Sequence, residues 1–351
     1  MVVYFILLLV PILITLLMKN KKNRAVLYGF FTTIVFLLAL RKSTIGRDTQ
    51  TYIDNFYRIS KLPWNKILVG ETAEFGFTIL NKLISVISVE SWFYLFIVSI
   101  ISVIPLCIVY AEESENTLLT VAIYVILPNY ILLYSGIRQS IALGIGSLSY
   151  LCVKRKKPIL FIIIILIAAQ FHSSAIILFS LYPIYYAKIT RRWLIIIMPL
   201  IVLVFIFKNE VFNFLMRFLE DRYQDRYGYT QENGAYSSLV LFLMFTLYTY
   251  LLPTEKVINQ NFIGLRNFLL VSVILQIFAS INMVAMRINY YFIMFMPITL
   301  TKVENCTDKE EKKLVALSEL VMIVVFIIYV IATIVMDKDP LDIYPYQFFW
   351  V

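Results

Sequence analysis

The chain has 351 residues, 61% of them hydrophobic and 15% charged, with a formal net charge of +9 and a mean hydropathy of +0.83. Soluble domains are roughly 45–50% apolar and about 25% charged, so this composition excludes a soluble globular protein and specifies an integral membrane protein. The positive charge is no nucleic-acid footprint, because the cations gather in short loops between apolar runs, where they act as topology anchors.

Apolar runs occupy 2–18, 25–40, 92–110, 117–134, 136–153, 158–170, 172–187, 193–207, 237–252, 262–282, 287–301 and 314–336. A spanning helix needs roughly 20 apolar residues, and several of these runs are shorter. Run 2–18 is apolar from its start and its basic cluster follows it, the reverse of a cleavable signal. Four basic clusters are expected on the cytoplasmic side: 19–24, 154–157, 188–192 and 302–313. Two of them, 154–157 and 188–192, require an even number of crossings between them. Segment 158–187 is therefore expected to be a hairpin, with His172 at its outer tip. The scheme gives about twelve helices, some short or re-entrant, in one transmembrane domain spanning 1–351, with both termini outside. It also puts the acidic loop Glu112–Glu113–Glu115 inside, which does not support it, although acidic residues contribute little to orientation.

Two long polar segments, 41–91 and 208–236, fall on the outer face. The first is expected to hold an interfacial helix over 73–88, where Phe75, Ile79, Leu83 and Ile87 recur at helical spacing, with Lys82 and Ser85 on another face. The second is expected to be a helix through about Tyr227. Three widely spaced cysteines, Cys107, Cys152 and Cys306, give neither a metal motif nor a disulfide framework. No Walker A or HExxH pattern is present, so neither ATP use nor a metal site is expected from the sequence.

Five arginines fall at or near outward helix ends: Arg47, Arg138, Arg222, Arg226 and Arg287. Cations are scarce on that side and costly near lipid unless they meet an anion, which points to an anionic substrate such as a lipid-linked phosphate. Each has a bland alternative. Arg47 and Asp48 follow the turn residue Gly46 and precede Tyr52, where an ion pair and a helix cap would suffice. Arg138–Gln139 opens a helix carrying the small-residue stripe Gly136, Ser140, Gly144 and Ser147, which lets another backbone approach and turns Arg138 inward. Snorkelling to the interface is the alternative for Arg138. Arg222 and Arg226 share a helix face with Tyr223 and Tyr227 beside it, as a lid or as a solvated charged helix. Arg287 precedes Tyr290 and Tyr291; Tyr290, like Tyr52 and Gln139, is a candidate substrate contact, with an interfacial aromatic belt as the alternative for the tyrosine pair. The one histidine, His172, is a structural residue or a general base, and Asp48 is a second candidate base.

Gly46-Arg47-Asp48 with Tyr52, then Gly136-Ile137-Arg138-Gln139-Ser140-Ile141-Ala142, a basic turn, and Phe171-His172-Ser173-Ser174-Ala175 resemble the EpsG family. That family is grouped with the Wzy-type O-antigen and capsular polysaccharide polymerases. The resemblance spans essentially the whole chain. It implies a metal-independent, cofactor-free membrane glycosyltransferase of GT-C-like, all-α architecture in the bacterial cytoplasmic (inner) membrane. Such an enzyme joins oligosaccharide repeat units carried on undecaprenyl pyrophosphate into surface polysaccharide. A flippase and a chain-length regulator are the expected partner proteins, with membrane lipids around the chain. Arg47, Arg138 and His172 match the shared pattern; Asp48 matches less closely, and Arg222, Arg226 and Arg287 match in general location. The competing classes are a lipid-linked oligosaccharide flippase, which would show pseudo-symmetric halves and charges through the midplane, and a membrane O-acyltransferase using His172.

Overall fold

The structure, a computed structural model, describes residues 21–68, 74–216, 235–335, 342–343 and 345–351. Every extended element among them is helical, with one isolated bridge between Arg41 and Phe348. The chain separates into two compact units, one of residues 1–179 and 318–351, the other of 180–317.

The first unit begins with α1 (Arg24–Ala39), started by Asn23, whose side chain accepts from the Val26 N–H. The segment 41–91 holds α2 (Thr49–Ser60), the short α3 (Trp64–Leu68) and α4 (Phe75–Ile87). α5 (Ser91–Glu113) is long and apolar enough to cross a membrane. The single run expected over 117–134 is instead two helices, α6 (Thr117–Ile126) and α7 (Pro128–Ser135), bent by 59°. Pro128 is the cause: it offers no N–H and forces Leu127 into an extended conformation (ψ 143°). α8 (Ile137–Lys154) and α9 (Pro158–Ala169) follow, then a 3-10 helix over Ser173–Ser180. Phe161 and Phe179 meet edge to face at 6.0 Å, so α9 and the 3-10 helix run back along each other with residues 170–172 as the turn. The expected hairpin is present.

Packing in this unit follows the small residues and the rings. A Cβ on Gly144 would overlap the Ser102 carbonyl, so α8 lies backbone to backbone against α5, the role its small-residue stripe suggested. Phe30, Phe31, Tyr110 and Tyr124 interlock edge to face or tilted between α1, α5 and α6.

The acidic loop is explained by its partners. Lys22 pairs with Glu115 at 3.0 Å, Lys154 with Glu113, and Arg155 with Glu112. The carboxylates sit among the basic clusters of one end and neutralise them, so their position agrees with the charge-based topology.

The second unit contains α10 (Leu181–Tyr186), α11 (Leu194–Ile206), α12 (Lys208–Met216), α13 (Ala235–Leu251), α14 (Gln260–Ala279), α15 (Met283–Ile293) and α16 (Met296–Leu300). The run expected over 287–301 is thus divided at Met294–Phe295, ahead of Pro297. Arg266 is fully buried, bonded to Glu255 at 3.2 Å and the Ile189 carbonyl at 2.8 Å, with its guanidinium over Tyr250. It closes the basic turn of this unit from within. Tyr290 and Tyr291 are buried in the core, not placed as belt aromatics, because α15 turns that face toward α14. α17 (Lys312–Val335) completes the described helices.

Membrane character shows on the surface. α9 exposes Ile159, Ile162, Ile163, Leu166 and Ile167, and α11 exposes Ile195, Ile196, Leu203 and Ile206. Aliphatic faces of that extent need lipid around them. Among the described residues, two helices alone meet the length and hydropathy of a span, Ser91–Glu113 and Gln260–Ala279. Each of two bent pairs would add one, and five shorter apolar helices accompany them. The expected run 2–18 lies outside the described residues.

Candidate functional site

Around the turn at residues 41–48 of the first unit, three segments far apart in sequence meet. The turn at 41–48 comes first. Gly46 adopts φ +86°, a left-handed conformation that favours glycine, and a Cβ there would overlap the Tyr134 carbonyl. Thr49 fastens the same junction, its hydroxyl 2.7 Å from the Ile45 carbonyl and 2.9 Å from that of Tyr134. Arg41 is buried beneath, over the Tyr134 ring and 3.4 Å from the Thr49 hydroxyl. Residues 342–343 and 345–351 strap the turn: Lys42 donates to the Gln347 carbonyl and Gly46 to that of Asp342, each at 2.9 Å. The Tyr346 phenol donates to the Leu37 carbonyl at 2.7 Å, and burial pushes its pKa up, so it stays a donor.

Asp48 holds the N-cap position of α2, but its side chain makes no cap bond. It is tied to Ser135 instead: the Ser135 hydroxyl donates to Asp48 Oδ2 at 2.9 Å and accepts from the Asp48 N–H at 3.3 Å. Arg47 points outward and faces Asp342 at 3.6 Å, both side chains 62% exposed. Such an open pair contributes about 0–1 kcal/mol and leaves the guanidinium able to change partner.

The second segment is the start of α8. Arg138 there is half-buried, its guanidinium 5.9 Å above the Tyr52 ring and its Nη1 2.9 Å from Glu74 Oε2. Gln139 beside it is buried. A cation at a helix N-terminus opposes the helix dipole, so the carboxylate and the ring face are what hold it there.

The third segment is the hairpin turn. Gly76, in the first turn of α4, donates to the Gln170 carbonyl at 3.1 Å, and a Cβ on it would come 2.6 Å from Gln170 Cβ. This close approach brings Glu74 to His172, whose Nδ1 lies 2.7 Å from Glu74 Oε1. Glu74 is largely buried, at 9% side-chain exposure, and one carboxylate therefore serves both His172 and Arg138. A neutral imidazole that donates from Nδ1 to this carboxylate keeps Nε2 as an acceptor.

A model of the EpsG family matches residues 25–348. The chain belongs to the EpsG family. It is accordingly a membrane protein of polysaccharide-polymerase type. Neither a curated protein nor a solved structure matches it. In this EpsG-family chain, the structure brings Arg138, Tyr52 and His172 together, with Arg47 and Asp48 on the adjoining turn.

Arg287 and Tyr290 lie on α15 in the second unit, Arg287 half-buried and Tyr290 buried. Arg222 and Arg226 lie outside the described residues. The sequence reading missed Glu74. Its signal was present: an acidic residue at the head of the amphipathic helix, two before a glycine. The apolar stripe that marks this helix draws its polar face to Lys82 and Ser85 and leaves Glu74 just ahead of it. In the structure Phe75, Leu83 and Ile87 of the stripe face outward, as an interfacial helix requires.

Proposed function

We propose that this EpsG-family protein polymerises oligosaccharide repeat units carried on undecaprenyl pyrophosphate, at the outer face of the bacterial cytoplasmic membrane, as a GT-C-like, multi-pass glycosyltransferase. The observation that carries this is the Glu74 bridge between His172 and Arg138. It is a base-and-orienter pair joined to a phosphate-binding cation, which is the equipment that glycosyl transfer from a pyrophosphate needs.

In the step, a sugar hydroxyl of the acceptor unit attacks the anomeric carbon of the donor chain. The hydroxyl proton passes to His172 Nε2, a new C–O bond forms, and the bond to the lipid pyrophosphate breaks with its electron pair leaving on phosphate. Arg138 stabilises the charge that develops there, and Arg47 is the second cation. A charge pair about 4 Å apart is worth ~4 kcal/mol at intermediate dielectric, enough to matter in such a step. Arginine suits the role because its planar fork meets two phosphate oxygens. Glu74 holds the imidazole in the accepting tautomer and stabilises the imidazolium that forms. Asp48, tied to Ser135 beside the Arg47 turn, positions that turn. The energy comes from the pyrophosphate linkage, so the step needs no ATP.

The test is reconstitution of the full chain in liposomes with lipid-linked repeat units, and separation of the products by length. Base catalysis of this kind contributes roughly 10²–10⁴-fold, and His172→Ala is expected to lower polymer formation by that order. Polymer yield unchanged in His172→Ala would remove the histidine from the step.

A further inference from the structure

The second unit carries its own cation at an unfavoured place. α11 leaves the basic turn at Lys188, Arg191 and Arg192 and ends at Ile206, two residues before Lys208, about 20 Å along the helix axis. Lys208 is thus at the end opposite the basic cluster, where lysines are scarce. It is also the first residue of α12, where the helix dipole opposes a positive charge.

A lysine at a membrane edge ordinarily snorkels to water. This one folds back. Its Nζ donates to the Tyr236 hydroxyl at 2.5 Å and the Ser280 hydroxyl at 3.1 Å. It stands 4.6 Å from the Tyr236 ring centre and 5.1 Å from that of Phe205. Among the described residues no carboxylate pairs with it. An ammonium has three donors, and two are used. Among the described residues the remaining donor and the charge meet no anion. Exposed Ile206 and Phe207 beside it present a lipid-facing surface.

We propose that Lys208, with Tyr236 and Ser280, is a second phosphate-binding site, which takes the phosphate headgroup of a lipid-borne anion. This rests on the polymerase reading in one respect: joining two lipid-linked units requires holding two lipid phosphates. Arg138 and Arg47 in the first unit provide for one of them.

The experiment uses the full chain in nanodiscs of phosphatidylcholine, titrated with farnesyl pyrophosphate and followed by calorimetry. Lys208→Gln keeps hydrogen bonding to Tyr236 and Ser280 while removing the charge. It is expected to weaken one class of binding by about tenfold, the factor that 1.4 kcal/mol corresponds to. Lys208→Arg is expected to retain it. A Lys208→Gln protein with the wild-type melting temperature and unchanged binding would overturn the proposal. If that variant is unstable, loss of binding in Lys208→Ala with recovery in Lys208→Arg decides in favour, and binding equal in Lys208→Ala and wild type decides against.

A second arm places phosphatidylglycerol in the nanodisc. Lys208-dependent competition by it identifies an acidic phospholipid headgroup as an occupant, and persistence of pyrophosphate binding identifies the prenyl carrier; both support the site. Arg138→Ala separates this inference from the polymerase reading. Binding lost in Lys208→Gln and untouched in Arg138→Ala would sink the first-unit phosphate role and leave the Lys208 site standing.

Discussion

Glu74 meets two partners whose side chains it must serve together, and this makes its replacement informative. Glu74→Gln keeps the shape, but its amide can present a donor to the imidazole and no longer offers a charge to Arg138 or to an imidazolium. Orienting carboxylates act through the base they hold, so its effect should be absorbed once His172 is gone. The expectation is that Glu74→Gln lowers polymer formation by about 10²-fold or more, and that the Glu74→Gln/His172→Ala double variant is no worse than His172→Ala alone. Multiplying losses in product-length assays would show the two acting separately. Gly46 is a second residue with a sharp expectation. Alanine there takes a left-handed backbone and overlaps the Tyr134 carbonyl. Strain of this kind costs about 1–3 kcal/mol, which a lowered melting temperature of the purified chain would register. Arg138 and His172 were legible from sequence because their flanking residues form recognisable patterns. Glu74 was not, because its link to His172 spans 98 residues and depends on the close approach of Gly76 to Gln170.

At the scale of elements, α8 packs against both α5 and α9, and it approaches α5 backbone to backbone. Its Gly144 touches α5 at the Ser102 carbonyl, and overpacking at such a seam costs about 1–3 kcal/mol. Gly144→Val is expected to lower thermal stability by that amount and to reduce polymer formation, since α8 carries Arg138. Unchanged stability would mean that the two helices can separate without cost. The helix positions were legible from apolar runs, and the small-residue stripe correctly announced a close helix contact. The break at Pro128 was signalled by the proline and was overridden by counting the run 117–134 as one span. The strap of residues 342–343 and 345–351 had no local signal, because its bonds to Lys42 and Gly46 run through backbone atoms that any residue supplies.

At the scale of the molecule, the basic clusters and the site fall at different ends of the first unit. Lys22, Lys154 and Arg155 meet the acidic loop at one end, and His172, Arg138 and Arg47 gather at the other. A membrane-impermeant thiol reagent applied from outside is expected to label His172→Cys in a chain whose three natural cysteines, all buried, are replaced by serine. Labelling only after permeabilisation would invert the topology. The number of spans was less legible than their existence. Among the described residues two helices meet both the length and the hydropathy of a span, because prolines and polar turns divide several apolar runs.

The central claim is that the His172–Glu74–Arg138 cluster performs the polymerising step. It is tested most directly by complementing a deletion strain with His172→Ala, Glu74→Gln or Arg138→Ala and resolving the surface polysaccharide by gel. Loss of long chains with single repeat units still present is the expected result for each variant. Full-length polysaccharide in His172→Ala and Arg138→Ala strains would contradict it.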